Sequence, residues 1–460
     1  MAQPYGVAGQ FNILTLIFTI MEGSKTRTTA QNLPKSVTSI WIGLVGLTGF
    51  MVATYLIRIY QIDMYTGGVI AGAALAVPII LFELIGLKTF RRPTTGLDFG
   101  HRHTLNVKRV LIKLLGLYVT LALVACIYLI IPEYRDGYYW PYWRFVKYLA
   151  AVIVVGSIPY FFILDMYLVE PEESYWKVGM IALGRWKEID FGGLKSHFLG
   201  WLVKLFFLPL MYVALCGNIS YMNGSPFPMV IQQRNFISFY DYMYNFIFTV
   251  DLVFVFVGYI LTLRIFDSHI RSVEPSFLGW YVALQCYKPF WQALRGNYFA
   301  YDSNGYYWGS WLFNHHWIYV TWGTVILILL SIYSWASVTF GIRFSNLTHR
   351  GILTNGPYRF MRHPAYVCKN LSWWMISIPF ISHAGVFVAV KSCIMLLMVN
   401  TIYFLRAKTE ERHLSNDPVY VRYANVINEK GIFRWLFRKV PFLCYRAERT
   451  RGLGFLKMHV

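Results

Sequence analysis

The sequence predicts an all-α fold: a polytopic transmembrane helical bundle of about ten spans, closed by a C-terminal helical hairpin. Three observations carry this. Hydrophobic residues make up 57% of the 460-residue chain and charged residues only 14%, where a soluble protein would carry roughly a quarter charged residues. Apolar stretches close to 20 residues recur along the chain, and a helix rising 1.5 Å per residue needs about that many to cross a hydrocarbon core of roughly 30 Å. Finally, Lys and Arg exceed Asp and Glu by 42 − 22 = 20, and the excess falls in connections, as it does on the cytoplasmic side of membrane proteins.

The same arithmetic excludes other classes. So apolar a chain is not a disordered, collagen-like or disulfide-rich secreted protein. A net charge of +20 on it does not signal nucleic-acid binding; its partners are membrane lipids. The six cysteines are scattered without a CxxC or a His at metal-ligand spacing, so no metal site is expected. Cys126, Cys216 and Cys393 lie in apolar runs and read as small buried thiols.

Element by element, Phe11–Met21 is too short to span and has no basic residue before it, which fits an interfacial or packed helix better than a signal peptide. Spans follow at Thr38–Ile57, Gly67–Leu87, Val110–Ile131, Phe145–Ile163, Phe198–Tyr221 and Tyr242–Ile265. Phe277–Leu294 is interrupted by Lys288-Pro289, Trp317–Phe340 is uninterrupted, and Leu371–Ile381 with Val386–Leu405 forms the hairpin. Lys25, Arg27 and Lys35 precede the first span; Lys88, Arg91, Arg92, Arg102, Lys108 and Arg109 crowd the second connection; Arg343–Lys369 is basic again. All three sit on one side only if Phe277–Leu294 crosses. That places both termini in the cytoplasm, with eight spans plus a re-entrant piece as the alternative. The composition shifts near residue 340, and a functional boundary at about residue 310 divides the chain into an N-terminal transmembrane region, 1–310, of unassigned role and a membrane-embedded region, 311–460, that carries the motifs.

Within that second region, Gly351-Ile-Leu-Thr-Asn-Gly-Pro-Tyr358-Arg-Phe-Met-Arg362-His363-Pro364-Ala365-Tyr366 is unlike a loop selected for solubility. Proline fixes φ and glycine permits close backbone approach, so the stretch reads as a shaped pocket wall. A hairpin turning at 382–385 returns the chain to the face it left, after a leg of about 30 Å. Arg406, Glu410 and Glu411 therefore emerge beside the His363 loop. Arg406 and Glu410, four apart, share a helix face; the bland reading is a surface ion pair, the functional one a fixed cation and a fixed anion beside the loop.

The motif Gly-Pro-Tyr358-xxx-Arg-His363-Pro-x-Tyr366, then Arg406-xxx-Glu410-Glu411-xx-Leu414 and Tyr420-xx-Tyr423, resembles the isoprenylcysteine carboxyl methyltransferase family and, more broadly, phospholipid methyltransferases, over about residues 343–427. The resemblance implies an integral membrane enzyme that transfers methyl from S-adenosylmethionine to a lipid or lipid-linked acceptor entering from the bilayer. It implies a cofactor held by Arg350, Gly351, Ile352, Leu353, Tyr358, His363, Pro364, Ala365, Tyr366 and Glu410, and an acceptor oriented by Arg406. Cys368 stands where the family often has Gly, and Arg350 where it often has His. A carboxylate acceptor, isoprenylcysteine-like, is already ionised at neutral pH and needs no base, whereas a lipid amine needs one, for which His363 or Glu411 would serve. An NADPH-dependent sterol-reductase-like enzyme is a rival reading; it expects Asn at position 365 and no acidic pair to repel a 2′-phosphate. A non-enzymatic lipid transporter is a third.

Outside the motif, Asp251 lies within a span, where an ionisable group is costly and reads as functional or as an inter-helix pair. Glu83 and Asp165 lie near span ends and read as interfacial, and Glu170–Glu173 reads as a solvated loop. His315-His316 is weak evidence for metal. Tyr138–Trp143 suits an interfacial belt, and the basic aromatic tail Arg434–Arg451 suits an anionic membrane surface.

Overall fold

The computed structural model describes residues 33–447; Phe11–Met21, Lys25, Arg27 and the end of the basic tail lie outside the described residues. In chain order the helices are α1 (Ile40–Ile59), α2 (Met64–Leu81), α3 (Val107–Ile130), α4 (Trp140–Tyr167), α5 (Ser174–Ala182), α6 (Leu194–Gly224), α7 (Phe227–Gln232) and α8 (Phe236–Ile260). They continue with α9 (Phe277–Leu284), α10 (Phe290–Asn297), α11 (Trp308–Leu312), α12 (His316–Phe340), α13 (Pro364–Ser377), α14 (Val386–Leu414), α15 (Pro418–Lys430) and α16 (Arg434–Lys439). The strand pair β1 (Ser272–Val273) and β2 (Thr348–His349) runs antiparallel. The protein is an all-α, multi-pass integral membrane protein.

Local sequence explains where these helices begin. Ser39, Asp63, Asn106, Asn235, Ser276 and Asp417 each accept a hydrogen bond from a main-chain N–H of the first turn that follows, the usual satisfaction of orphan donors at a helix start. Pro364 opens α13 and Pro418 opens α15, the position where a missing N–H costs nothing. The main core is built from apolar side chains of α1, α2, α6 and α8 with contributions from α4 and α12. Cys216 is buried there, but Cys126 is exposed and Cys393 only half-buried, as suits helices whose outer faces meet lipid.

Among the described residues, eight helices are long and apolar enough to cross a membrane: α1, α2, α3, α4, α6, α8, α12 and α14. The other two of the ten expected spans take different forms. The Phe277–Leu294 run divides into α9 and α10, each of eight residues and so only about 12 Å long. It still carries the chain from one end of the bundle to the other. At its start β1 pairs with β2 beside the motif loop; beyond its end Gly305 bridges Ser382 in the hairpin turn. The run is a broken path of two short helices rather than one spanning helix. The fourteen residues of α13 span about 21 Å, and the remaining distance to the turn is covered by residues 378–382.

Glu83 and Asp165 differ from expectation. Both are fully buried within the protein. A π turn at Phe82–Gly86 extends α2 and contains Glu83, whose carboxylate takes both terminal nitrogens of buried Arg343. Asp165 accepts from Arg109 Nε at 2.7 Å and from Lys113 Nζ at 2.9 Å. Each is near enough to a span end in sequence to suggest water, but each is enclosed by helices from elsewhere in the chain. Glu173, expected in a solvated loop, pairs with Arg264 at 3.1 Å.

Candidate active site

The hairpin arithmetic holds. The two legs are clasped by Trp374 Nε1 donating to Asn400 Oδ1 at 2.7 Å and Asn400 Nδ2 donating to Asn370 Oδ1 at 2.6 Å. The last turns of α14 therefore return beside the loop that precedes α13, and two adjoining chambers form between them. The larger, about 120 Å³, is lined by Tyr358, His363, Ala365, Tyr366, Arg406 and Glu410 among the predicted residues. The smaller, about 60 Å³, is lined by Arg350, Gly351, Ile352, Leu353, Tyr358, His363 and Glu410. Tyr358, His363 and Glu410 face both chambers.

Arg406 and Glu410 do not pair with each other. Glu410 Oε2 accepts from the Tyr366 hydroxyl at 2.9 Å, and among the described residues it has no cation within ion-pair distance. Arg406 is buried and donates through Nη2 to Asn346 Oδ1 at 2.5 Å. Its guanidinium lies 5.6 Å from the Tyr287 ring centre and 5.2 Å from that of Tyr366. No described carboxylate lies within ion-pair distance of it either. Lys369, also in the wall, is likewise surrounded by rings, those of Tyr333, Trp373 and Tyr403, at 5.4–5.8 Å. Ring faces offset part of the cost of a sequestered cation but leave its charge without a counterion. Beside the paired Arg362 and Glu274, the cavity wall thus holds two cations and one carboxylate with no ion partner among the described residues, each open to a charged guest.

Other predicted residues act on the wall rather than in it. The Arg350 guanidinium points away from the chamber and donates to the carbonyls of Gly258, Leu261, Ser268 and Phe344 at 2.5–2.9 Å. It caps the C-terminal end of α8, where a cation is favoured; burial pushes its pKa down to about 9. Pro364 lines neither chamber and serves as the first residue of α13. Glu411, expected as a base for an amine acceptor, lines neither chamber. It is buried and takes Arg362 Nη1 at 2.9 Å, His363 Nε2 at 3.1 Å and Lys408 Nζ at 2.8 Å. On α14 the larger chamber is met by Arg406, Thr409, Glu410, His413 and Leu414, and Glu411, about 100° on from Glu410, falls outside that stripe. Glu411 instead holds His363, whose ring stacks on Tyr366.

The loop is supported from two sides. The Tyr423 hydroxyl of α15 donates to the Tyr358 carbonyl at 2.7 Å, over a small core of Ile352, Tyr420, Ala424 and Ile427. On the other side, residues 34–38 strap it: Val37 N donates to Ile352 O at 3.0 Å, and Thr354 Oγ1 to Pro34 O at 2.8 Å. Gly351 has φ +112°, and a Cβ there would meet Val37 at 2.5 Å, so glycine is required both by conformation and by the strap.

Asn346, Tyr287, Lys369, Tyr333, Ser337 and Tyr403 line the cavity without having been singled out in the sequence. Tyr403 could have been, one turn before Arg406 on the same helix face. Tyr287, with Glu274 and Gly279, comes from before residue 310, so the cavity draws on both parts of the chain. Asp251 makes an inter-helix pair, accepting from Tyr333 at 2.7 Å and from Ser337, and so fixes α12 side chains that face the cavity.

Residues 315–416 match the family model of the isoprenylcysteine carboxyl methyltransferase family. The matched segment runs from the start of α12 to just past α14 and contains Arg406, Glu410 and the His363 loop. No curated protein and no solved structure matches the chain. The family match and the eight apolar helices together support a membrane methyltransferase.

Proposed function

We propose that the protein is an S-adenosylmethionine-dependent methyltransferase acting on a carboxylate of a lipid or lipid-linked acceptor, with its motif end facing the cytoplasm. The observation that carries the reading is the unpaired opposition of Arg406 and Glu410, one helical turn apart in one cavity. The donor set suits the cofactor. Glu410 is a carboxylate without a cation, and the Thr348 and Tyr420 hydroxyls, both in the smaller chamber's wall, are buried without a partner. S-adenosylmethionine would supply an electrophilic methyl group. Glu410 would favour its positive charge, with the Gly351–Leu353 backbone and Tyr358 enclosing the smaller chamber.

Arg406 would take both oxygens of the acceptor carboxylate, a planar match that Lys does not reproduce. Tyr287 and Tyr366 hold the guanidinium in place, so little reorientation is needed on binding, and positioning supplies much of the acceleration of an in-line displacement. A lipid amine acceptor remains the second reading, favoured by the His363–Glu411 pair, in which a carboxylate orients an imidazole in the cavity wall.

Calorimetry on detergent-purified protein tests the cofactor: S-adenosylhomocysteine binds the parent, and Glu410→Ala loses at least tenfold in affinity. NADPH binding in its place would overturn the reading. Mass spectrometry of membrane lipids methylated from labelled cofactor then separates carboxylate from amine acceptors.

A further inference from the structure

A second polar cavity, of about 270 Å³, lies outside the family-matched segment, enclosed by the motif ends of α4, α5 and α6 and by residues 262–271. Its charge is one-sided. Lys204, Arg264 and Arg271 line it against a single carboxylate, Glu173, which Arg264 already engages. Lys204 has no carboxylate within ion-pair distance among the described residues: its ammonium donates to Thr262 Oγ1 and lies 4.6 Å from the Trp201 ring. Two further nitrogens in the wall are orphaned. Arg271 Nε and His269 Nδ1 are buried and make no hydrogen bond, although Arg271 Nη2 reaches Asp267 at 3.0 Å.

The backbone adds to the same sign. The N-terminal ends of α5, at Glu173–Ser174, and of α6, at Gly193–Leu194, both border the cavity, and helix N-termini favour anions through their free N–H groups and dipoles. A cavity with an unpaired ammonium, an orphaned guanidinium N–H and two helix starts is complementary to a compact oxyanion. Next to its lining residues His197 and Trp201, the side chains of Phe198 and Leu202 are exposed on the outer face of α6, where an acyl chain can lie.

We infer that this cavity binds a phosphate oxyanion, carried by a membrane phospholipid or free. The charge is read by Lys204 and Arg271, and the bilayer-facing flank of α6 gives a lipid-borne phosphate a direct approach. The site needs nothing from the methyltransferase cavity.

The test is saturable binding to the detergent-purified full chain, followed by thermal stabilisation. The probes are dioctanoyl phosphatidic acid, dioctanoylglycerol and inorganic phosphate. Phosphatidic acid or inorganic phosphate stabilises the parent, and the affinity falls at least tenfold in both Lys204→Met and Arg271→Gln. A variant counts only if its unliganded melting temperature stays close to the parent's, and either one suffices. Phosphatidic acid binding that inorganic phosphate does not displace assigns the site to a lipid; displacement, or binding of inorganic phosphate alone, assigns it to phosphate as such. The inference is overturned if neither phosphate probe binds, if dioctanoylglycerol stabilises as well as phosphatidic acid, or if the folded variants bind like the parent. Because no methyl acceptor or cofactor enters the assay, its failure leaves the methyltransferase reading standing, and the converse holds too.

Discussion

The N-terminal bundle and the C-terminal cavity handle buried charge in opposite ways. In the bundle, Asp165 is closed off by Arg109 and Lys113, and Glu83 by Arg343; each carboxylate is satisfied inside the protein. In the cavity, Arg406 and Glu410 sit within a turn of each other and stay apart, leaning on Asn346 and Tyr366 instead. Desolvating a charge is expensive, and the protein offsets that cost with a partner wherever the charge serves the fold. A charge left without a partner in a cavity wall is one whose partner arrives from outside. Pairing, rather than burial or motif membership, separates structural from functional ions here, and Glu411 shows the rule at work: it belongs to the motif yet is paired three ways, and it faces away from the cavity.

The largest effect should come from breaking a closed pair. Asp165→Ala leaves Lys113 buried without a counterion and should cost about 3–5 kcal/mol of stability, read as a large fall in melting temperature or loss of folded protein in detergent. A variant that melts like the parent would remove the structural half of the comparison. Arg406→Lys, in the open region, should leave the melting temperature and S-adenosylhomocysteine affinity close to the parent's while turnover at saturating cofactor falls by about 1–3 kcal/mol of transition-state stabilisation. Arg406→Ala should lose more still. Loss of cofactor binding with unchanged turnover by the bound fraction would reverse the roles given to Arg406 and Glu410, and a silent Arg406→Lys would favour the amine acceptor.

A smaller effect is expected from Tyr366→Phe, which removes the one side-chain hydrogen bond that Glu410 makes among the described residues. Cofactor affinity should fall by about 1.5 kcal/mol, the scale of a hydrogen bond to a charged group, with little change in stability. An unfolding defect without an affinity change would place Glu410 among the structural ions.

The smallest effect at neutral pH concerns His269, which faces Arg264, Asp267, Arg271 and Arg350. Burial, with Arg264 next, pushes its pKa down from 6.5 to about 3. The unfolded chain therefore takes up this proton first as pH falls, so its contribution to stability is complete above pH 6.5 and declines from there towards pH 3. His269→Gln should melt with a shallower dependence over that window. Equal slopes in parent and variant would mean the ring is free to protonate in the fold.

Much of the architecture was legible in local sequence. Apolar stretches of membrane-spanning length located the eight long helices, and capping residues such as Asp63 and Asn106 mark where they start, because both depend on neighbours within a few positions. The return of Arg406 and Glu410 to the His363 loop was legible as well, since it needs only the rise of a helix and the direction of a hairpin. Tertiary structure alone decided which charges close on one another. That Glu411 turns to Arg362 and His363, that the Arg350 guanidinium caps α8, and that Asn346 and Tyr287 rather than Glu410 hold Arg406 all depend on residues from tens to more than a hundred positions away. Electrostatic pairing is settled by distance and enclosure in space, which a one-dimensional pattern does not contain; hydrophobic periodicity and capping are settled within a turn or two of the chain, which it does.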